Sequence, residues 1–504
     1  MPGPRASPAA PVHRRSARTS STPSRPARAG RQAAARSAAG RRTRIRRGWR
    51  AWRGGKGGRR SIGAAARAAR RRQNPGQWAP APPRGACPVP CPVTFAEDAA
   101  VTAPPDSRLL HPARAARIDA AFEEDVERAR IPGAVVAIER GGTLAYLKAF
   151  GYRNREKSAA MAPDSIFRIA SMTKPMVSVA VMMLAEEGRI RLVNPVSTYL
   201  PEMKAAMVGV ESADGGAPVL RLEAPRREMT VQDLLRHTSG VTYGQFGDSL
   251  VKQAYRAANI MDPNQTTAEF ITKLAALPLQ YQPGTMWDYG MSTDVLGRLV
   301  EVVSGMALDE FIAARITVPL GMIDTGFAVP KEAAHRVAEA MVDPKTGERP
   351  PMARDLTVKP RFLSGGGGMV STVPDYLRFA RMLANGGAID GVHLLSRKTV
   401  ALMAADHLPP ETAVSPAARA QFEESAPLAE FGQGFGLGFC VRTAAGRNPV
   451  PGSVGDFYWS GVFGTYFWID PQEDLVAVLM LCAPEQRRHY RALMRALTYQ
   501  ALAD

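Results

Sequence analysis

The 504-residue sequence predicts an α+β fold, in which helices flank an antiparallel sheet and a mostly helical lobe is inserted into the chain. Three observations support this fold class. Strand-like apolar patterns occur near both ends of the folded part, helical spacing dominates between them, and the first part of the chain has no core-forming pattern. We therefore expect one sheet that is built from both ends of a single large domain.

The N-terminal tail, residues 1–105, is rich in Arg, Ala, Pro, Gly and Ser, and it cannot bury enough apolar surface to offset its ordering entropy. We expect it to be disordered. Residues 1–90 hold 23 of the 65 Lys and Arg and no acid, so the net charge of +19 belongs to this tail. A nucleic-acid-binding arm and an organelle transit peptide both fit. We favour a reading frame extended upstream of the true start, because the abundant residues share GC-rich codons, and we do not expect the tail to bind nucleic acid.

Residues 106–504 are expected to form the folded domain, with an α/β part over about 106–188 and 361–504 and a helical lobe over about 189–360. The predicted elements are a helix over Leu110–Ala129, a hairpin of Gly133–Ile138 and Thr143–Phe150, helices over Ser171–Gly188, Asp294–Ser304, Leu308–Ile316 and Pro374–Asn385, strands over Gly436–Arg442, Phe457–Gly461, Thr465–Ile469 and Leu475–Leu481, and a closing helix over Glu485–Leu502. No apolar run is long enough to span a membrane or to serve as a secretory signal, so we expect a cytoplasmic protein.

The four cysteines do not indicate a metal site. Cys87 and Cys91 lie in a Pro-rich linker, while Cys440 and Cys482 fall on apolar, strand-like runs. No pair has zinc-ligand spacing with partner histidines. A Cys440–Cys482 disulfide stays open, but two reduced core thiols are favoured because no secretion signal is recognisable.

The sequence Ser171-Met172-Thr173-Lys174 matches the pattern Ser-x-x-Lys. If a helix begins at Ser171, residues three apart share one face and the lysine amine reaches the serine hydroxyl. A serine hydroxyl becomes a good nucleophile only when a neighbouring base takes its proton. The apolar run Met176–Leu184 and the positive helix N-terminus both favour the uncharged amine that can act as this base.

This motif alone is weak, because a chain of this length contains such a match by chance. A second one, Ser249-Leu250-Val251-Lys252, lies in a polar stretch without an apolar helix to bury its lysine, and we interpret it as a chance match. The structural alternative for Ser171 is a helix N-cap with Lys174 in solvent.

A wider set of segments favours catalysis. Phe167–Pro175 resembles the nucleophile segment of the serine β-lactamase and penicillin-binding superfamily, and it is most similar to class C β-lactamases and family VIII carboxylesterases. Further segments follow in that family's order: Leu234–Gly240, Tyr281–Gly284, Tyr289 with Asp294–Gly297, Pro319–Met322, Gly365–Gly368 with Val370–Thr372, and Trp459–Gly461. The resemblance spans roughly residues 108–500 and implies a β-lactamase/transpeptidase-like fold without metal or cofactor.

The resemblance also assigns site residues. Tyr289 matches the tyrosine of the second motif and would share the Ser171 proton with Lys174. Trp459, Ser460 and Gly461 stand where β-lactamases carry Lys-Thr-Gly, on a strand beside the nucleophile, and would line the substrate pocket. The backbone N–H groups of Ser171 and Val462 would form the oxyanion hole. The structural alternatives are a tyrosine that anchors the inserted lobe and ordinary edge-strand packing of the tryptophan.

Two departures from the family pattern bear on the substrate. Tryptophan replaces the lysine of Lys-Thr-Gly, which removes the cation that would meet a substrate carboxylate, although Arg442 could supply one from a neighbouring strand. Family VIII esterases carry Trp-x-Gly here. Tyr289-Gly290-Met291 also lacks the Asn of the usual Tyr-x-Asn, whose amide helps hold an amide substrate. Both departures favour neutral esters.

Other catalytic patterns are absent or weaker. No Gly-x-Ser-x-Gly occurs, which argues against an α/β-hydrolase elbow. We expect His237 to stabilise a loop by hydrogen bonds rather than to act as a base. The run Gly365–Gly368 is interpreted as a tight loop beside the site. We therefore predict a carboxylesterase-like serine hydrolase that acts on a small-molecule ester through an acyl-Ser171 intermediate. The alternatives are a β-lactamase or D-amino-acid peptidase, an acyltransferase, and a non-catalytic binding protein.

Overall fold

A computed structural model describes residues 107–212, 216–342, 346–349 and 354–503. The predicted tail over residues 1–105, with Cys87 and Cys91, lies outside these residues.

Eight strands form one antiparallel sheet. In chain order they are β1 (Gly133–Arg140), β2 (Thr143–Asn154), β3 (Ala159–Ala160), β4 (Gln433–Phe435), β5 (Cys440–Arg442), β6 (Phe457–Ser460), β7 (Tyr466–Asp470) and β8 (Leu475–Leu481). Their spatial order is β4-β5-β6-β7-β8-β1-β2-β3. Because β8 pairs antiparallel with β1, the two ends of the domain meet inside the sheet, and the predicted fold class is confirmed.

The helices lie between and around these strands. They are α1 (Pro112–Glu127), α2 (Thr173–Glu186), α3 (Val231–Leu235), α4 (Leu250–Ala257), α5 (Thr267–Ala275), α6 (Ser292–Ser304), α7 (Leu308–Ile312), α8 (Val373–Ala384), α9 (Arg397–Met403), α10 (Pro416–Phe422) and α11 (Arg487–Ala501). Among the described residues no helix has the length and apolar content needed to cross a membrane.

Helices cover both faces of the sheet, as the alternation of side chains along β7 shows. The ring of Trp468 stacks on Tyr499 of α11, 6.3 Å between centroids. Its neighbour Phe467 points the other way and lies 5.0 Å from Tyr376 of α8. Both faces are therefore buried, which explains why β8 is apolar throughout its length.

Several boundaries differ from the sequence-based expectation. The strand predicted over Gly436–Arg442 begins only at Cys440, as β5, because the residues before it turn the chain back from β4, with φ of +102° at Gly438. Ser171 lies in a 3-10 turn, Ala170–Met172, that precedes α2. The inserted lobe also contains a two-stranded hairpin, Val208–Ser212 with Val219–Glu223.

Candidate active site

The nucleophile candidate lies where the chain enters a buried helix. Ala170, directly before Ser171, has φ of +44°, a strained value for a residue with a side chain. Ser171 is half-buried, and α2 runs from it through the core with every residue from Thr173 to Leu184 buried. The predicted apolar burial of Lys174 is present, since this side chain is 1% exposed.

The Lys174 amine is held by three oxygen atoms. Nζ lies 3.3 Å from Ser171 Oγ, 3.2 Å from the Tyr243 hydroxyl and 2.7 Å from the backbone oxygen of Gly366. An ammonium donates to all three. In the uncharged amine the Gly366 oxygen still accepts, while one of the two hydroxyl groups turns its proton toward the nitrogen lone pair. The arrangement therefore places a proton acceptor within direct reach of the Ser171 hydroxyl.

Tyr243 was not predicted from the sequence. It follows the quoted segment Leu234–Gly240 by three residues, which is the signal that could have found it. Burial raises the pKa of its phenol well above the ordinary value, and the nearby Asp294 and Tyr289 raise it further. Tyr243 is therefore a neutral hydroxyl that can either donate to or accept from the Lys174 amine.

Tyr289 reaches the same amine with its ring. Lys174 Nζ lies 4.6 Å from the ring centroid, a distance at which the ring face attracts a cation. Among the described residues, the Tyr289 phenol has no hydrogen bond to Ser171 or Lys174, and Tyr243 holds that position. The structure thus brings Tyr289 to the site, and its role in proton transfer stays a prediction.

The end of β6, which was predicted to line the pocket, packs against the nucleophile segment. An added Cβ on Gly461 would lie 2.5 Å from the backbone oxygen of Ile169, so only glycine fits there. Thr465 Oγ1 donates to the same oxygen at 3.2 Å. Val462, 42% exposed, lies in the tight turn between these two residues. This close approach brings the turn beside the nucleophile segment, and the oxyanion hole formed by the Ser171 and Val462 N–H groups stays a prediction.

Trp459 faces an aromatic wall. It is 2% exposed, and its ring centroid lies 5.4 Å from Tyr289, 5.5 Å from Phe422 and 5.4 Å from Phe435. Phe422 also packs edge-on against Tyr289, 4.9 Å between centroids. The side of the site next to Tyr289 is therefore apolar, which suits an uncharged acyl or alkoxy group.

The geometry can be compared with known proteins. A family model described as Beta-lactamase matches residues 118–500. This chain belongs to the β-lactamase family. Esterase EstB of Burkholderia gladioli is 30% identical over 385 residues, 73% of this chain and 90% of that protein. The lovastatin esterase of Penicillium rubens is 30% identical over 385 residues, 72% of this chain and 91% of that protein.

The solved structures agree with the family assignment. The structure of EstCE1, a hydrolase with promiscuous acyltransferase activity, is 27% identical and superposes with a TM-score of 0.63 over 77% of this chain and 98% of that one. The predicted superfamily and the predicted enzyme class, a carboxylesterase-like serine hydrolase, are confirmed by these relatives.

The glycine loop of this β-lactamase-family enzyme is part of the site. The sequence predicted a tight loop over Gly365–Gly368 beside it, and the Gly366 oxygen is the shortest contact of Lys174. The backbone N–H of Gly366 donates to Asp294 of α6 at 3.0 Å. The loop therefore connects the reactive amine to a buried carboxylate.

His237 packs inside the candidate active site, and its backbone hydrogen bonds hold the loop that follows α3. Its N–H donates to Leu234, and its carbonyl oxygen accepts from Asp288. The imidazole lies 4.9 Å from the Tyr289 ring, and its Nδ1 has no partner among the described residues. Burial lowers the pKa of His237 well below 6.5, and the Lys174 charge lowers it further. The predicted loop tie is thus made by the backbone, while the ring is a neutral packing element.

The second Ser-x-x-Lys match is not a second active site. Ser249 caps helix α4 by accepting from the Lys252 N–H, and its hydroxyl donates to Gln280. The expectation that Lys252 is not buried was wrong, because this side chain is 3% exposed. Its amine donates to the Phe246 oxygen and lies 4.0 Å from Asp288, so it serves the packing of the lobe.

The cation suggested at Arg442 is not available to a substrate. Arg442 is 5% exposed and lies 3.1 Å from Asp456, which also binds Arg495. Arg491 of α11 lies closer to the third motif and donates to the Gly461 oxygen at 2.7 Å. Burial lowers the pKa of Arg491 to about 10. Its Nε has no hydrogen-bond partner among the described residues.

The remaining predictions concern thiols and metals. Cys440 and Cys482 are both buried and unpaired, so the favoured pair of reduced core thiols is present. Burial raises the pKa of each thiol to about 12. Within the part of the chain that the structure describes, no group of three or more His, Cys, Asp or Glu side chains is placed to hold a metal ion.

Proposed function

We propose that the protein hydrolyses neutral carboxylic esters of small molecules through an acyl-Ser171 intermediate. The observation that carries the proposal is the buried Lys174 amine, which lies 3.3 Å from the Ser171 hydroxyl and faces the Tyr289 ring. A second support is Trp459, which stands in place of the lysine that would attract a substrate carboxylate.

In the acylation step, Ser171 Oγ attacks the ester carbonyl carbon while its proton passes to the Lys174 amine. The N–H groups of Ser171 and Val462 stabilise the oxyanion. The C–O bond then breaks, and the departing alkoxide takes the proton from Lys174 through Tyr289. Water repeats the sequence in deacylation, which releases the carboxylic acid and restores the serine hydroxyl.

The test uses the chance motif as its control. Ser171→Ala is expected to abolish turnover of p-nitrophenyl butyrate, whereas Ser249→Ala removes only a helix cap and is expected to leave kcat/KM unchanged. A fluorophosphonate probe followed by peptide mass spectrometry is expected to label Ser171 and not Ser249. Full activity in Ser171→Ala, or labelling at Ser249, would end the proposal.

The β-lactamase or peptidase alternative makes a different prediction. It needs a cation for the substrate carboxylate, and Arg442 is buried in an ion pair with Asp456. We therefore expect kcat/KM for p-nitrophenyl butyrate to exceed that for a cephalosporin. The opposite preference would replace esters by β-lactams as the substrate class.

Acyl transfer to an alcohol is the second candidate. One solved relative, EstCE1, is a hydrolase with promiscuous acyltransferase activity, and the apolar wall at Trp459 can hold an alcohol beside the acyl-enzyme. Added primary alcohol would then yield the new ester in competition with the acid.

We also propose that the protein is located in the cytoplasm. The two unpaired buried thiols, Cys440 and Cys482, support this location.

A further inference from the structure

The carboxylate of Asp294 lies directly behind the catalytic amine. Asp294 is 1% exposed and sits in the first turn of α6. Its Oδ1 accepts a hydrogen bond from the Ser364 hydroxyl at 2.5 Å and one from the Gly366 N–H at 3.0 Å. Its Oδ2 is buried and has no hydrogen-bond partner among the described residues. A buried oxygen atom without a partner is costly, so it calls for an explanation.

Gly366 connects this carboxylate to Lys174. Its N–H binds Asp294, and its carbonyl oxygen accepts from Lys174 Nζ at 2.7 Å. An added Cβ on Gly366 would lie 2.3 Å from Asp294 Oδ2, so the absence of a side chain is what allows the loop to close on the carboxylate. Asp294 and Lys174 are therefore linked through Gly366 and do not form a direct ion pair.

The other groups that face Lys174 carry little charge. His237 and Tyr243, from the loop after α3, are both held neutral by burial. Tyr289 presents its ring face, and the glycine loop offers only a carbonyl oxygen. The Arg491 cation interacts electrostatically with Tyr289. Asp294 is therefore the carboxylate that interacts electrostatically with Lys174, and the Lys174 charge acts to lower the pKa of Asp294 while burial raises it.

We propose that Asp294 is a positioning residue that orients Lys174 through Gly366 and stabilises the ammonium formed when Ser171 gives up its proton. The inference rests on the proposed function, because it assigns a partner to the base of that reaction. Asp294 does not exchange a proton in the cycle. The proton moves from Ser171 Oγ to Lys174 Nζ and then through Tyr289 to the departing alkoxide, while the carboxylate stays charged. A base that is oriented by a third group is a general feature of activated nucleophiles.

The charge of Asp294 can be removed with little change of shape. In Asp294→Asn, the amide oxygen keeps the hydrogen bonds from Ser364 and Gly366. Burial raises the pKa of the Asp294 carboxyl, while the Lys174 charge and the hydrogen bonds act in the opposite direction. The substitution removes the ionisable group and keeps the acceptor oxygen of these hydrogen bonds. Without the anion the ammonium loses its proton more readily. The acid limb of the kcat/KM profile should therefore move to lower pH, by roughly 1 unit.

The expected kinetic pattern is specific. On p-nitrophenyl butyrate, Asp294→Asn is expected to lower kcat about tenfold at the pH optimum with KM within about twofold, because the lost interaction forms with the ammonium of the transition state. The pH dependence of fluorophosphonate labelling should shift with it. Asp294→Glu, which keeps the charge, is the matched variant, and Ser249→Ala, which changes a helix cap outside the site, is the control; both should keep the wild-type acid limb.

The outcomes separate cleanly. An unchanged acid limb in folded Asp294→Asn, with reduced stability alone, would overturn the inference and leave Asp294 a structural residue. If that variant is not recovered folded, Asp294→Ser, which leaves room for a water, carries the same comparison. Failure of both to fold would also overturn it. Inactive wild-type protein would instead refute the proposed function.

Discussion

Gly366→Ala is expected to disable the enzyme although it adds only one methyl group. The added Cβ would lie 2.3 Å from Asp294 Oδ2, whereas real Cβ contacts are essentially never below 3.0 Å. The loop or the carboxylate must therefore move by about 0.7 Å or more, because packed interiors cannot absorb such an overlap. The contact between the Gly366 oxygen and Lys174, 2.7 Å in the native protein, lies on the displaced residue.

The magnitude follows from this displacement. A misplacement of about 1 Å at a catalytic group costs on the order of 10²-fold in rate. We expect kcat to fall by about that factor with KM nearly unchanged, and the free energy of unfolding to fall by about 1–3 kcal/mol from overpacking. Initial rates on p-nitrophenyl butyrate and urea unfolding measure the two effects separately.

The neighbouring glycine provides the matched control. An added Cβ on Gly367 would meet its nearest atom, the Ala170 carbonyl carbon, at 3.7 Å, which is an ordinary contact. Gly367→Ala should therefore keep both rate and stability. Wild-type kcat in a folded Gly366→Ala protein, or equal losses in the two variants, would refute the reasoning that the loop fixes the amine.

Three further predictions concern the residues around the amine. Tyr289→Phe is expected to lower kcat by about 10²-fold or more, because the variant lacks the proton carrier. Tyr243→Phe is expected to lower kcat by less. If Tyr243→Phe had the larger effect, Tyr243 would be the proton carrier. Lys252→Met should lower the free energy of unfolding in urea by about 3 kcal/mol, because Asp288 loses its buried cation, and adding Asp288→Asn should recover most of it. Burial lowers the pKa of His237 in the folded protein well below 6.5. Below pH 6.5 the unfolded chain therefore binds a proton at His237 that the folded protein does not, and the free energy of unfolding falls as the pH decreases. His237→Asn, which tolerates the left-handed backbone at φ of +58°, should flatten the fall of the melting temperature between about pH 7 and 5.

The local part of the site could be predicted from the sequence, and the distant part could not. Ser171 and Lys174 are three residues apart, so helix geometry alone places the amine at the hydroxyl. The other two partners of the amine, Tyr243 and Gly366, are 69 and 192 residues from Lys174 along the chain. Their positions depend on how the lobe and the loop pack against α2, which no local pattern encodes.

The fold shows the same division. Alternation and apolar runs predicted β6, β7 and β8 to within about a residue, because side-chain periodicity follows from strand geometry. The break between β4 and β5 was missed. There an added Cβ on Gly436 would lie 2.1 Å from the Met403 oxygen, so contact with the end of α9 shapes the turn. The suggestion that Arg442 supplies a cation to the substrate was wrong for a similar reason, because Asp456 of the adjoining loop pairs with Arg442.

Trp459 couples substrate choice to the catalytic machinery. If it only replaced the lysine of Lys-Thr-Gly, its ring could face solvent, yet it is 2% exposed and packs against Tyr289 and Phe422. A lysine in this position would place an ammonium among aromatic rings that include Tyr289, the ring that faces the Lys174 amine. The surroundings have therefore been fitted to an uncharged side chain. Recognition of a carboxylate would require changes at several of these positions together, because the same ring that excludes the cation also supports the tyrosine beside the amine.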